Sequence, residues 1–273
     1  MPPQLVLIII GFLAGILAGM FGIGGGVVIV PALMGFLGFT LYQASGTSLA
    51  ALLLPVGIFA VLEYHRKGFL RIRLAALVAV GIFVGSYFGS AFALSLDLIT
   101  LQRLYGLFLL FIFWRFAEPL KWYREWRTRQ SAAPNTADTP KSAAPEPQIG
   151  WYWILLVGLG AGVLAGMFGI GGGVVIVPAL VSILRFDQKY AVGTSLAALL
   201  LPSGLPAVVN YYHAGDLDIG VAALVAAGLL FGALAGARIA LGLPSVTVKR
   251  LYGVFLLFIA FRFMFPEIFL GPR

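Results

Sequence analysis

AGMFGIGGGVVIVPAL occupies Ala18 to Leu33 and recurs letter for letter at Ala165 to Leu180, 147 positions later. The offset holds without a gap. ASGTSLAALLLP (Ala44 to Pro55) returns as AVGTSLAALLLP (Ala191 to Pro202), and RLYGLFLLFI (Arg103 to Ile112) as RLYGVFLLFI (Arg250 to Ile259). Residues 11–116 laid on 158–263 agree at 63 of 106 positions. The chain is a duplicated unit, and a glycine-broken apolar segment sits at the same place in both copies. In a membrane chain that pattern is the best sequence pointer to a transport site.

The 273 residues are 61% hydrophobic and 10% charged, with a mean hydropathy of +1.02. A soluble domain carries about 25% charged residues, so lipid is the solvent for most of this chain. Apolar runs of roughly 20 residues cross the hydrocarbon core as helices. The runs here are continuous, with small residues at helical spacing, which excludes the alternating strands of a barrel. The net charge of +8 does not point to nucleic acid, because Lys and Arg sit in short loops between apolar spans. Without cysteine, the chain has no disulfide, thiol nucleophile or cysteine metal site. The start, MPPQLVLIII, has no basic leader and is read as the first membrane segment rather than a removed signal peptide.

The expected organisation is all-helical and polytopic. A first repeat covers 1–117, a cytoplasmic flexible linker 118–150, and a second repeat 151–273. The segments are 4–39, 46–64, 74–96 and 101–117, then 151–186, 193–212, 219–243 and 248–265, about eight in all. The linker begins basic, with Lys121, Arg124, Arg127 and Arg129, and continues as SAAPNTADTPKSAAPEPQ, a composition that does not fold alone. Gly11, Gly15 and Gly19 match Gly158, Gly162 and Gly166; Gly81, Gly85 and Gly89 match Gly228, Gly232 and Gly236. Such ridges let membrane helices approach closely.

Loop charge predicts inverted repeats. The loop after the second segment holds Arg66, Lys67, Arg71 and Arg73 in the first half, but Asp216 and Asp218 in the second. The loop after the first segment is uncharged in one half and holds Arg185 and Lys189, with Asp187, in the other. The positive bias swaps sides, and the positive-inside rule then turns one half over. Inversion needs an odd number of crossings per half. A hairpin turning at GIGGG within the first segment supplies it. A single kinked span, with parallel repeats, is the alternative.

The sharpest candidate site is the glycine run: Gly22, Gly24, Gly25 and Gly26 with Gly169, Gly171, Gly172 and Gly173. Glycines at membrane depth free backbone N–H groups and admit close approach. The VVIVPAL that follows reads as a helix start, where partial positive charge and free N–H groups favour an anion. Two such ends hold a small anion without any buried Lys or Arg. Thr47, Ser48, Thr194 and Ser195, in Gly-Thr-Ser at the opening of the second span of each half, are further candidates; as helix caps they need no ligand. Pro55 and Pro202 are expected to kink that span. Tyr64 and Tyr211 are read as interface anchors, and Arg238 as a snorkelling cation. Arg103 and Arg250 are read as headgroup anchors. His65 and His213 do not align, so no metal site is expected. No constellation of catalytic residues lies within the spans, and no enzyme is expected.

At these residues the chain resembles the TauE/SafE family of sulfite exporters, also called the toluene-sulfonate uptake permease family. The resemblance rests on the repeated G-x-G-G-G…P (Gly22 to Pro31, Gly169 to Pro178), the Gly-Thr-Ser pair and the central polar linker. It implies a multi-pass inner-membrane protein moving sulfite, an organosulfonate or another small sulfur-containing anion. The reading is a secondary transporter working by alternating access, with a midplane site between the two glycine segments. It needs no cofactor; coupling to H+ or Na+ is open, as is a homo-oligomeric state. An anion channel and a non-transporting membrane subunit are the alternatives.

Overall fold

The computed structural model describes residues 3–117, 150–182 and 186–243. The linker up to residue 149, the expected last span 248–265, Arg185 and the second RLYG copy lie outside the described residues.

Helix α1 (Pro3–Phe21) is apolar throughout and stops at Gly22. Gly22, Gly24 and Gly25 have φ of 71°, 76° and 87°, and Gly169, Gly171 and Gly172 have 68°, 75° and 83°. Side chains rarely adopt that backbone region, so only the glycine run turns the chain here. Helix α2 (Gly26–Leu37) starts at once, and α3 (Leu41–Leu53) follows. After α3 come α4 (Ile58–Arg66), α5 (Ile72–Ser95) and α6 (Leu98–Ala117). The second half repeats them as α7 (Trp151–Phe168), α8 (Gly173–Ser182), α9 (Gln188–Leu200), α10 (Leu205–His213) and α11 (Ile219–Gly242). The described residues are all helix and connection, with no strand.

Among the described residues four helices, α1, α5, α7 and α11, are long and apolar enough to cross a membrane. There are six such spans if the bent pairs α3–α4 (52°) and α9–α10 (49°) each count as one. The breaks fall at Leu54–Gly57 and Leu201–Gly204, where Pro55 and Pro202 lack an N–H and push the preceding leucine out of helical geometry. The second span begins earlier than expected. Thr40 caps α3 in a capping box with Gln43, and Asp187 caps α9. Gly-Thr-Ser therefore lies inside the helix, in its second turn, and caps nothing. The preceding LYQAS and QKYAV look too polar for a span, but a cap at Thr40 or Asp187 outweighs their low hydropathy.

The halves interlock. α1 packs along α11 and α7 along α5, each pair side by side in the same direction. Gly11, Gly15 and Gly19 rest on the backbone of Val225, Leu229 and Ala233, and Gly228, Gly232 and Gly236 return the contact to Ile8, Phe12 and Ile16. A Cβ on Gly15 would stand 2.6 Å from the Leu229 carbonyl oxygen. The α5–α7 pair repeats this with Gly81, Gly85 and Gly89 against Gly158 and Gly162. The stripes are packing surfaces, as read from the sequence. The outer faces carry Phe36, Ile72, Phe88, Phe111, Trp151 and Phe231, each more than half exposed. A band this apolar is stable against lipid and not against water.

Candidate functional site

The two glycine turns meet. Gly26 packs on the Gly169 carbonyl and Ile170, and Gly173 on the Gly22 carbonyl and Ile23. The helix ends that feed the turns leave carbonyl groups open, and the opposite copy closes them. Ser48 Oγ donates to the Gly169 oxygen and Ser195 Oγ to the Gly22 oxygen, each at 2.8 Å. Tyr64 donates its hydroxyl to the Gly19 oxygen at 3.3 Å, and Tyr211 to that of Gly166 at 3.0 Å. Both tyrosines are almost fully buried. They are not interface anchors; their rings fill the core and their hydroxyls close the ends of α1 and α7. A buried carbonyl without a donor is costly, which explains a matched tyrosine in each half.

The N–H groups on the far side of each turn are different. Gly24, Gly25, Gly26 and Val27, and Gly171, Gly172, Gly173 and Val174, donate to no acceptor among the described residues. All eight residues are buried. Those of Gly26, Val27, Gly173 and Val174 are the first amides of α2 and α8, and those of Gly24, Gly25, Gly171 and Gly172 belong to the turns just before them, so the positive ends of two helix dipoles lie here.

A cavity of about 40 Å³ lies beside the turns. One water needs about 10–15 Å³ on this measure, so the space has room for a few waters or a small ion behind a mostly apolar wall. Ala18, Gly24, Leu49, Leu52 and Gly57 line it, with their repeat mates Ala165, Gly171, Leu196, Leu199 and Gly204. Ile82 and Leu229 also line it; each stands midway along a 24-residue helix, which puts the cavity at mid-height. Ala233 of α11 and the broken ends after α3 and α9 form the rest of the wall. One mate differs in polarity: Val56 on one side faces Ser203 on the other.

Of the residues expected at the site, Gly24 and Gly171 line this cavity. Gly25 and Gly172 are the N-cap residues behind them, Gly25 against Ala14 and Ala18, and Gly172 against Ala161 and Ala165. Gly22 abuts Val192 and Gly169 abuts Ser45, while Gly26 and Gly173 join the turns. Ser48 and Ser195 are committed to turn carbonyls. Thr47 accepts the Asp218 N–H at 3.1 Å, whereas the buried Thr194 hydroxyl has no partner among the described residues. The leucines of LAALLLP and Ser203 were not singled out, and the two tyrosines were read for another role. Their only signal is that the repeat keeps LAALLLP intact and the tyrosines in register.

Two seams, each with a polar contact, flank the cavity. Between α4 and α11, Arg238 Nε and Nη2 each lie 3.0 Å from Glu63 Oε1. Between α5 and α10, Asn210, the mate of Glu63, donates to Ser90 Oγ at 2.8 Å and to the Tyr87 oxygen at 3.2 Å. Arg238 reaches a carboxylate rather than snorkelling alone.

The family model for the sulfite exporter TauE/SafE matches residues 7–263. The chain is 27% identical to the probable membrane transporter protein YunE of Bacillus subtilis, over 97% of this chain and 98% of YunE. It is 26% identical to YdhB of the same organism, over 90% and 94%. A probable membrane transporter protein of Methanocaldococcus jannaschii is 28% identical over 86% and 85%. No solved structure matches the chain.

Proposed function

This chain belongs to the TauE/SafE family of membrane transporters, and from that premise we propose that it moves a small oxyanion, sulfite or an organosulfonate, through the cavity between the two glycine turns. The family is one of multi-pass membrane transporters and not of enzymes. The observation that carries the substrate class is the mid-height cavity lined by Gly24 and Gly171, one residue of each glycine turn, beside two sets of unpaired turn and helix-start amides and with no lysine or arginine among the described residues of its wall. Amides at helix starts bind anions through hydrogen bonds and the dipole. In the low-dielectric interior that attraction is stronger than in water.

The repeats are read as inverted. Glu63 lies just before α5 begins and touches Arg238 in the last turns of α11. Asn210 lies just before α11 begins and touches the last third of α5. These two helices, mates in the duplication, therefore run in opposite directions, and the axis relating the halves lies in the membrane plane. Tyr42, at the start of α3, donates to the Leu96 oxygen after the end of α5, so α2 returns the chain to the side from which α1 started. This supports a hairpin over a kinked span. Arg66, Lys67, Arg71, Arg73 and Lys189 gather on one face; there Lys189 stands over the Phe69 ring at 5.7 Å and Arg71 over Tyr190 at 5.7 Å. Asp97, Asp216 and Asp218 lie on the other. The basic face is placed in the cytoplasm by the positive-inside rule, the membrane being the inner one.

Alternating access then means one repeat rocking on the other around the cavity, with nearly mirror-image end states. Exporting one negative charge down a potential of about 100 mV, inside negative, gains about 2.3 kcal/mol, enough to drive export without a coupling ion; H+ or Na+ coupling is left to experiment. The test is flux of sulfite, sulfate, thiosulfate and sulfoacetate into proteoliposomes at equal concentration. Saturable flux of sulfite or sulfoacetate, lowered by a bulkier side chain at Leu52 or Leu199 such as Leu→Phe, is expected. Absence of flux for all four removes the substrate class.

A further inference from the structure

The duplication makes the α4–α11 and α5–α10 seams mates, yet their linings differ in kind. From the cavity outward, the α5–α10 seam presents Ser203, Ser86, Ser90 and Asn210. Their mates in the other seam are Val56, Ala233, Ala237 and Glu63. Ser203 lines the cavity and is 4% exposed. Its carbonyl oxygen accepts from Ser86 Oγ at 3.2 Å. One turn further, Ser90 Oγ donates to the Ser86 oxygen at 2.9 Å, and Asn210 Nδ2 donates to Ser90 Oγ at 2.8 Å. Ser86 and Ser90 are fully buried. Asn210 is half-buried and stands near the end of α10, beside the acidic face. The polar groups thus run without a gap from the mid-height cavity to one surface.

Packing alone does not require these hydroxyls, because the mate seam closes with alanine and valine at the same places. Inside a membrane, an apolar seam that parts exposes surface no water satisfies, and an ion pair across it must be broken. A seam held by hydroxyl, amide and carbonyl groups exchanges each bond for one to water or to an oxyanion, so opening costs little net free energy. We propose that the α5–α10 seam is the aqueous route between the cavity and the acidic face, lined by Ser203, Ser86, Ser90 and Asn210 and taking a small hydrated oxyanion. The α4–α11 seam is the opposite gate, closed in this conformation by apolar packing and by Glu63–Arg238. This rests on the transporter reading above, and it assigns residues that the glycine motif does not include.

The chain contains no cysteine, so single thiols report cleanly. Ser203→Cys and Ser90→Cys are compared with their mates Val56→Cys and Ala237→Cys in the full-length protein. Right-side-out membrane vesicles receive the impermeant anion 2-sulfonatoethyl methanethiosulfonate, and the modified fraction is read by intact mass. Thiol modification follows access, and the polar-seam thiols are expected to react on the order of tenfold faster than their mates. Ser90→Ala and Asn210→Leu then lower flux of whichever anion is transported, while Ala237→Ser does not. Equal reaction in both seams, or no reaction at Ser90→Cys and Ser203→Cys, overturns the route even if flux is intact. Selective reaction without flux of the four sulfur anions keeps the route and rejects the substrate class instead.

Discussion

Two kinds of seam hold the halves together, and they differ in what the duplication has preserved. The long seams, α1 on α11 and α7 on α5, are backbone on backbone through the same glycines in both copies. The short seams, α4 on α11 and α10 on α5, joined at their polar ends by Glu63–Arg238 in one copy and Asn210–Ser90 in the other, have diverged. A glycine seam tolerates no side chain, because a Cβ meets a carbonyl oxygen. A side-chain seam accepts many pairs of residues, and each pair changes how easily it parts. The long seams are accordingly the rigid bodies, and the short seams the places where the two repeats work differently.

The largest effect is expected from breaking a long seam. Gly232→Leu drives a side chain into the Phe12 backbone, and overpacking of this kind costs about 3 kcal/mol or more. Loss of monodisperse protein in detergent is the expected readout; normal yield and melting would mean that the seam is loose. Gly24→Ala and Gly171→Ala come next. Both positions have left-handed φ, and the strain is of order 1–3 kcal/mol. A lower melting temperature with loss of anion flux is expected, whereas full flux would separate the turns from the site.

Tyr64→Phe and Tyr211→Phe strip the donors from the ends of α1 and α7. Each is expected to cost about 1–3 kcal/mol for an unsatisfied buried carbonyl, read as a melting shift of similar size in the two variants. Glu63→Gln in the ion-paired seam is worth about 1 kcal/mol or less, since Arg238 is 63% exposed and exposed pairs contribute little. Its sharper readout is gating, with faster labelling of Ala237→Cys in the double variant. The smallest effect is at Asp216, whose carboxyl is pushed above its ordinary value by burial. The folded state then holds its proton more tightly than the unfolded one, and the cost of ionising it is present above the raised value. Asp216→Asn is expected to raise the melting temperature slightly at neutral pH and to leave it unchanged below the ordinary carboxylate range.

The helical class, the duplication, the break at Pro55 and Pro202 and the glycine stripes were all legible in the chain, because each follows from local periodicity or from one residue type. A break at GIGGG was legible for the same reason, while hairpin and kinked span both stayed open. The start of the second span was not: its polar first turn hides it, and only the caps at Thr40 and Asp187 reveal where the helix begins. The tyrosines misled, because near a span end an amphipathic ring normally marks the headgroup region, and here both hydroxyls turn inward to carbonyls 45 positions earlier in the chain.

By itself, the sequence determined that this protein lives in lipid, is built twice from one unit and is broken at two glycine runs, since composition, repetition and glycine spacing are properties of the chain alone. Only the tertiary structure decided which groups those turns leave free. Ser48, Ser195, Tyr64 and Tyr211 close the carbonyl side, the amide side faces inward near a leucine-walled cavity, and serines that look like filler in α5 align with Asn210 from another helix. Hydrogen bonds between residues more than 100 positions apart leave no mark on local pattern, and in a medium without water they settle which polar groups are spent on structure and which remain for a ligand.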